Sequence, residues 1–237
     1  MQLTEKTVLV TGASGGLGLA LMEAFLLAGA GRVYAACRDP ARLQMAHPNI
    51  TPLPLDVTDP AQIQAAVARL PDLDILVNNA GVNRQQRLLG STEPGAAAEE
   101  MQVNYFATLD MLRAFAPSLA ARQGTVVNVL SILARVALPA MGSLCASKAA
   151  ALRLTEAVRA ELAGRVHVMA VLPGVIDTAM SRDFPGEKAS PEHVACAIVS
   201  GLAQGMTTLY PDPMAQAVAR RLDTEREAVM AEFASYC

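Results

Sequence analysis

Chemistry in this chain starts at a glycine-rich turn suited to holding phosphate. The run Thr7-Val8-Leu9-Val10-Thr11 breaks into Gly12-Ala13-Ser14-Gly15-Gly16-Leu17-Gly18 and then into Leu19-Ala20-Leu21-Met22, the pattern of strand, tight loop and helix. A Cβ would keep the backbone away from a diphosphate, whereas the following helix N-terminus supplies free N–H donors and partial positive charge. Glycine turns of this kind also occur without a ligand, so the surroundings have to decide.

Those surroundings are a repeated alternation of short apolar runs and longer, alanine-rich amphipathic ones. Strands are expected near 7–10, 32–36, 51–55, 73–77, 124–130, 166–172 and 206–210, and helices near 17–29, 60–70, 95–120, 142–163, 190–203 and 213–233. The runs Asp74-Ile75-Leu76-Val77, Thr125-Val126-Val127-Asn128-Val129 and Val166-His167-Val168-Met169-Ala170-Val171 are almost continuously apolar, as parallel strands buried on both faces are. The expected fold is α/β: a Rossmann-like, doubly wound, seven-stranded parallel sheet in a single domain over residues 1–237.

In such sheets ligands lie beyond the carboxyl ends of the strands. The residues that follow the expected strands are Gly12, Arg38, Asp56, Asn78-Asn79-Ala80-Gly81, Ser131 and Pro173-Gly174, each polar or special in backbone. Lys148 also stands out, because Lys6 and Lys188 are the only other lysines in a chain that otherwise takes its positive charge from arginine.

Bulk properties narrow the partners. A formal charge of -3 with no basic cluster argues against a nucleic-acid surface and toward small molecules. Cys37, Cys145, Cys196 and Cys237 show no metal-ligand spacing, and nothing like a signal peptide precedes the first strand, so a reduced, cytoplasmic protein is expected. The most apolar stretch, Leu19 to Cys37, carries Glu23, Arg32 and several glycines and falls short of a membrane span.

Taken in order, Thr11-Gly12, Gly16, Gly18, Asp56-Val57, Asn78-Asn79-Ala80-Gly81, Asn104, Ser131, Lys148, Pro173-Gly174 and Thr178 resemble the short-chain dehydrogenase/reductase family over nearly the whole chain. That resemblance implies that Gly12, Ser14, Gly16, Leu17 and Gly18 hold a dinucleotide pyrophosphate and that Asp56 and Val57 flank the adenine. It implies further that Asn79, Ala80 and Gly81 line the adenosine ribose, and that Val175 and Thr178, after Pro173 and Gly174, meet the nicotinamide carboxamide. Lys148 would bond the nicotinamide ribose hydroxyls, and Asn104 would hold a water linking Lys148 to solvent. Plainer roles stand beside these: Asp56 as a residue at the start of a helix, Asn78 as a tie between strands, Thr178 as the cap of a short helix.

Cofactor choice falls to the end of the second strand, where Cys37 is followed by Arg38 and then Asp39. An acidic residue at the strand end would accept from the ribose 2′-hydroxyl, whereas an arginine pairs with a 2′-phosphate. NADP(H) is therefore expected over NAD(H), with a solvated Arg38–Asp39 pair as the competing reading.

The family's chemistry uses a serine after the fifth strand, a tyrosine about thirteen residues later and a lysine four residues beyond that. Ser131 and Lys148 are present, but the tyrosine position is Leu144. Hydride transfer to a carbonyl needs a proton donor near the developing alkoxide, and leucine has none. Ser143, Cys145 and Tyr105 are rotated away from the Lys148 face, and His47, His167 and His193 read as ordinary structural or surface residues. The expected catalytic set is thus Asn104, Ser131 and Lys148, in an NADP(H)-dependent oxidoreductase acting on a small carbonyl, alcohol or conjugated substrate. The alternative is a non-redox or catalytically disabled NADP-binding protein. Met141, Leu144, Leu138 and Val136 suggest an apolar pocket wall or simple core packing, and a substrate loop near 179–190 suggests a lid. By resemblance, the helices at 95–120 and 142–163 join copies into a homodimer or homotetramer.

Overall fold

The computed structural model describes residues 2–236. Seven strands, β1 (Thr7–Thr11), β2 (Arg32–Cys37), β3 (Ile50–Pro54), β4 (Ile75–Asn78), β5 (Thr125–Val129), β6 (His167–Val171) and β7 (Thr208–Leu209), form one parallel sheet in the order β3-β2-β1-β4-β5-β6-β7. The pairs β1–β2 and β1–β4 flank the point where the winding reverses, which is where such sheets leave a crevice.

Side chains alternate across the sheet and feed two apolar layers. Val8, Val10, Val33, Ile75, Val127 and Met169 face α1 (Gly16–Leu27) and α6 (Pro191–Ala203), while Leu9, Ala36, Leu76, Val126 and Val168 face α2 (Pro60–Arg69) and α4 (Ala107–Ala121). Both faces are dry, which explains why the strands lack an apolar–polar alternation. Side-chain caps fix the starts of two of these helices: Asp59 accepts from Ala61 N and Gln62 N at α2, and Ser190 accepts from His193 N at α6.

Three expected elements differ in detail. The helix expected over 95–120 is a continuous rod of α3 (Ala96–Met101), a π-turn (Gln102–Phe106) and α4 (Ala107–Ala121), with Asn104 inside the π-turn. The helix expected over 213–233 is two, α7 (Pro213–Thr224) and α8 (Arg226–Ser235), because Glu225 takes φ -140° and breaks the ladder. β4 begins at Ile75 because the buried Asp74 carboxylate is used as an anchor, accepting from Thr7 N at 2.9 Å and pairing with Lys6 and Arg122. The remaining long helix, α5 (Gly142–Glu161), follows β5 and carries Leu144 and Lys148. Among the described residues, no helix is long and apolar enough to cross a membrane and no cluster of His, Cys, Asp or Glu is arranged to hold a metal.

Candidate active site

A cavity of about 590 Å³ lies over the carboxyl ends of β1, β4, β5 and β6. The glycine turn forms one wall, with Gly12, Ser14, Gly16, Leu17 and Gly18 all lining it. Gly12 sits at φ +64° against Ala80, and a Cβ on Gly18 would collide with the Gly12 carbonyl, so the turn closes only with glycine at both positions. Thr11 fastens the turn to the neighbouring strand: its hydroxyl donates to Val77 O and accepts from Asn79 N and Ala80 N.

Of the other residues expected here, Arg38, Asn79, Ala80, Gly81, Ser131, Lys148, Pro173, Gly174, Val175 and Thr178 line the same cavity. Asp56, Val57 and Asn104 do not. Asp56 accepts from the Thr58 N–H and hydroxyl, a turn-forming role at the entry to α2, and Val57 lines a separate small cleft with Thr11, Asn78 and Ala80. Asn78 ties β4 to β5, its amide donating to Asn128 Oδ1 at 2.8 Å. Thr178 opens the 3-10 turn Ala179–Ser181, and its methyl group stands over Gly16, so the loop after β6 reaches across to the glycine turn.

Arg38 is exposed at the rim, and Asp39 is not its partner. The Asp39 carboxylate accepts from Ala41 N at 3.1 Å and caps the turn Pro40–Arg42. Glu99 is ion-paired to Arg84, whose hydrogen bond holds its carboxyl below the usual carboxylate range, with a smaller contribution from the Arg38 charge.

Lys148 is buried at the cavity floor, donating to Val129 O at 3.1 Å, and burial pushes its ammonium down to about 8. Asn104 stands behind it. The π-turn aims the Asn104 amide at the loop after β4, where Oδ1 accepts from Val82 N and Nδ2 donates to Val82 O and to Ser147 Oγ, all at 3.0 Å. A side-chain carbon at Gly81 would lie 3.1 Å from Asn104 Oδ1 and 3.5 Å from Lys148 Nζ, so loop, amide and lysine are packed together. Ser131 caps the turn Ile132–Ala134 by accepting from Leu133 N at 3.1 Å, which leaves its hydroxyl hydrogen to donate. Leu144 lines the cavity one helical turn from Lys148, 7% exposed.

Candidate substitutes for an acid are elsewhere. Cys145 is turned toward Leu138, whose N–H it accepts at 3.2 Å, and burial raises its thiol. Tyr105 packs edge-on against Phe106, and no tyrosine, histidine or cysteine lines the cavity among the described residues. His47, His167 and His193 bond backbone groups at 3.0–3.1 Å.

The expected apolar wall is half right in its members. Met141 and Leu144 line the cavity, but Val136 and Leu138 join the cluster beneath α7 and α8, because the 3-10 turn after Ser131 leads the chain away from the site. The cavity also takes in Val82, Asn83 and Gln85 after β4, which the sequence pattern did not single out, together with Met180, Asp183 and Phe184 of the loop expected near 179–190. Another unforeseen residue is Asp212, 1% exposed, which caps α7 through Ala215 N and accepts from Gly174 N at 2.8 Å. A Cβ on Gly174 would come within 2.7 Å of that carboxylate, so Asp212 sets the bend beneath the cavity.

The same fold recurs in known proteins. Residues 6–189 match the family model described as short chain dehydrogenase. The chain belongs to the short-chain dehydrogenase family. It is 48% identical to a short chain dehydrogenase from Burkholderia cenocepacia J2315 solved in complex with NADP, with a TM-score of 0.95 over 98% of this chain and 99% of that one. A short-chain dehydrogenase from Sphingobium yanoikuyae in complex with NADPH is 26% identical, with a TM-score of 0.79 and 96% of both chains covered. Among curated relatives, the Dehydrogenase/reductase SDR family protein 7-like of Anopheles gambiae is 34% identical over 244 residues, spanning 90% of this chain and 77% of its own. The 1-deoxy-11-beta-hydroxypentalenate dehydrogenase of Streptomyces avermitilis is 32% identical over 240 residues, covering 95% and 84%. As a member of this short-chain dehydrogenase family, the protein is an oxidoreductase of that type with a nicotinamide-cofactor fold.

The buried lysine of this short-chain dehydrogenase is held against its own solvation preference. Its pKa falls on folding, so from about 8 up to the ordinary value the unfolded chain binds more protons and stability rises with pH. Below about 8 the burial cost is present in full. Lys148→Met is expected to stabilise the unliganded protein at pH 7 by about 1–2 kcal/mol, after subtracting the lost partner of the Val129 carbonyl, and to flatten the rise at alkaline pH. Urea unfolding at neutral and alkaline pH reads both effects, and a variant less stable than its parent refutes this account of Lys148.

Proposed function

We propose that the protein is an NADP(H)-dependent oxidoreductase that moves a hydride between the cofactor and a small carbonyl, alcohol or conjugated substrate, without a tyrosine acid. The observation that carries this reading is the continuity of one cavity from the glycine turn and Arg38 to Ser131 and Lys148. The glycine turn fits a pyrophosphate, since its wall holds backbone where side chains would otherwise intrude. Gly12, Ser14, Gly16, Leu17 and Gly18 then hold the pyrophosphate, Asp56 and Val57 border the adenine, and Asn79, Ala80 and Gly81 the adenosine ribose. Arg38 pairs with a 2′-phosphate. Pro173, Gly174, Val175 and Thr178 border the carboxamide of the nicotinamide, and Lys148 donates to its ribose. A bound nicotinamide supplies or accepts the hydride.

The remaining work falls to side chains. Ser131 donates to the substrate oxygen, where negative charge builds, and Lys148 adds positive potential in a site shielded from water. Asn104 acts through others, clasping Val82 and thereby the wall beside Lys148. The loop 179–190 borders the substrate end through Met180 and Phe184 and closes over it. The alanine-rich faces of α4 and α5 are assigned to assembly with further copies.

Leu144 supports a second reading, a nucleotide-binding protein without turnover, because the lysine's face of α5 offers only an isobutyl group to the cavity. Titration calorimetry with NADPH and NADH tests what both readings share. Binding of NADPH, tighter than NADH, is the expected result, and absence of heat with either cofactor on the folded protein overturns the assignment.

A further inference from the structure

The cavity that holds Ser131 and Lys148 counts Leu133, Met141, Leu144, Met180 and Phe184 among its lining residues. Arg38, Lys148 and Asp183 are the charged side chains along the cavity among the described residues. Arg38 stands at the rim, Lys148 divides its donors between Val129 O and, in the reading above, the nicotinamide ribose, and Asp183 repels anions, so a substrate carboxylate or phosphate meets no cation of its own. Several polar groups of the lining have partners within the protein. Asn83 accepts from Gln85 N and lies 3.5 Å from Met141 Sδ, Gln85 Nε2 is 3.5 Å from Met180 O, and Ser181 donates to Ile176 O. Ser131 keeps a hydrogen to give.

We propose that this site takes neutral, apolar conjugated ketones and reduces their carbon–carbon double bond, an inference that rests on the NADP(H)-oxidoreductase reading. Hydride addition to a saturated ketone places a full charge on an alkoxide, which calls for a positioned acid that Leu144 does not provide. Hydride addition at the β-carbon of an enone forms a C–H bond there while the C=C electron pair shifts toward the carbonyl, giving an enolate. Its charge is shared between oxygen and the α-carbon, so it is far less basic than an alkoxide and one hydrogen bond from Ser131 goes further toward stabilising it. Water then protonates the α-carbon. One NADPH and one proton are consumed, the enone gains two electrons, and NADP⁺ and the saturated ketone are released.

2-Cyclohexen-1-one and cyclohexanone, nearly identical in size, are compared with pyruvate as a small, polar, anionic ketone, with NADPH binding followed by the nucleotide's own fluorescence and products identified by mass spectrometry. The enone is expected to turn over at least ~10²-fold faster than the saturated ketone, with cyclohexanone as product, and Leu144→Tyr is expected to narrow that ratio by ~10²-fold. Equal rates for the two cyclic ketones, cyclohexenol as product, preference for pyruvate, or no enone turnover with NADPH bound would each overturn the inference and leave the cofactor reading intact. Loss of NADPH binding itself would remove both.

Discussion

Leu144→Tyr is expected to raise turnover of saturated ketones by ~10²–10⁴-fold, equivalent to about 3–5.5 kcal/mol of activation barrier. The expectation follows from the helix. α5 runs unbroken from Gly142 to Glu161, so positions 144 and 148 share one face, and the cavity on that face has room for a phenol in front of a leucine that already lines it. The Lys148 ammonium, one turn away and buried, would favour the phenolate and draw the phenol from its usual ~10 toward working pH. Ser131 stands ready to share the oxygen. The measurement is kcat for a ketone panel with NADPH, beside circular dichroism to show that the sheet is intact. No gain on any ketone, with NADPH still bound, would favour the non-redox reading and remove the idea of a reductase lacking only its acid.

The glycine turn, the parallel sheet and the residues at strand ends were legible in the sequence because each follows from a local rule. Gly12 needs a positive φ, buried strands need continuous apolar runs, and ligands collect where those strands end. What was illegible depends on contacts between distant segments. Alanine, glutamate and leucine around Asn104 favour ordinary helix, and the π-turn becomes favourable once the Asn104 amide has both Val82 and Ser147 to bond. Asp212 caps α7 locally through Ala215 N, but its second task at Gly174 spans 38 residues. Val136 and Leu138 have the same apolar chemistry as Met141 and Leu144. The direction taken by the turn after Ser131 sends the first pair to the core and leaves the second at the cavity.

Arg38→Asp should weaken NADPH binding by at least ~10²-fold and bring NADH to equal or tighter affinity. NADPH differs from NADH by one phosphate on the adenosine ribose, and a hydrogen-bonded charge pair with that phosphate contributes about 1.5–3 kcal/mol, or roughly one to two decades in affinity. The substitution also places a carboxylate where the phosphate would lie, adding repulsion, while giving the NADH 2′-hydroxyl an acceptor. Arg38 is free to act in this way because Asp39 caps its own turn and Glu99 is held by Arg84. The residue is exposed, so the effect is expected to shrink as ionic strength rises, and a buried pair would show no such dependence. Calorimetric dissociation constants for both cofactors, at low and high salt, decide it. Unchanged NADPH affinity in the variant would place the phosphate elsewhere and return Arg38 to the role of a solvated surface charge.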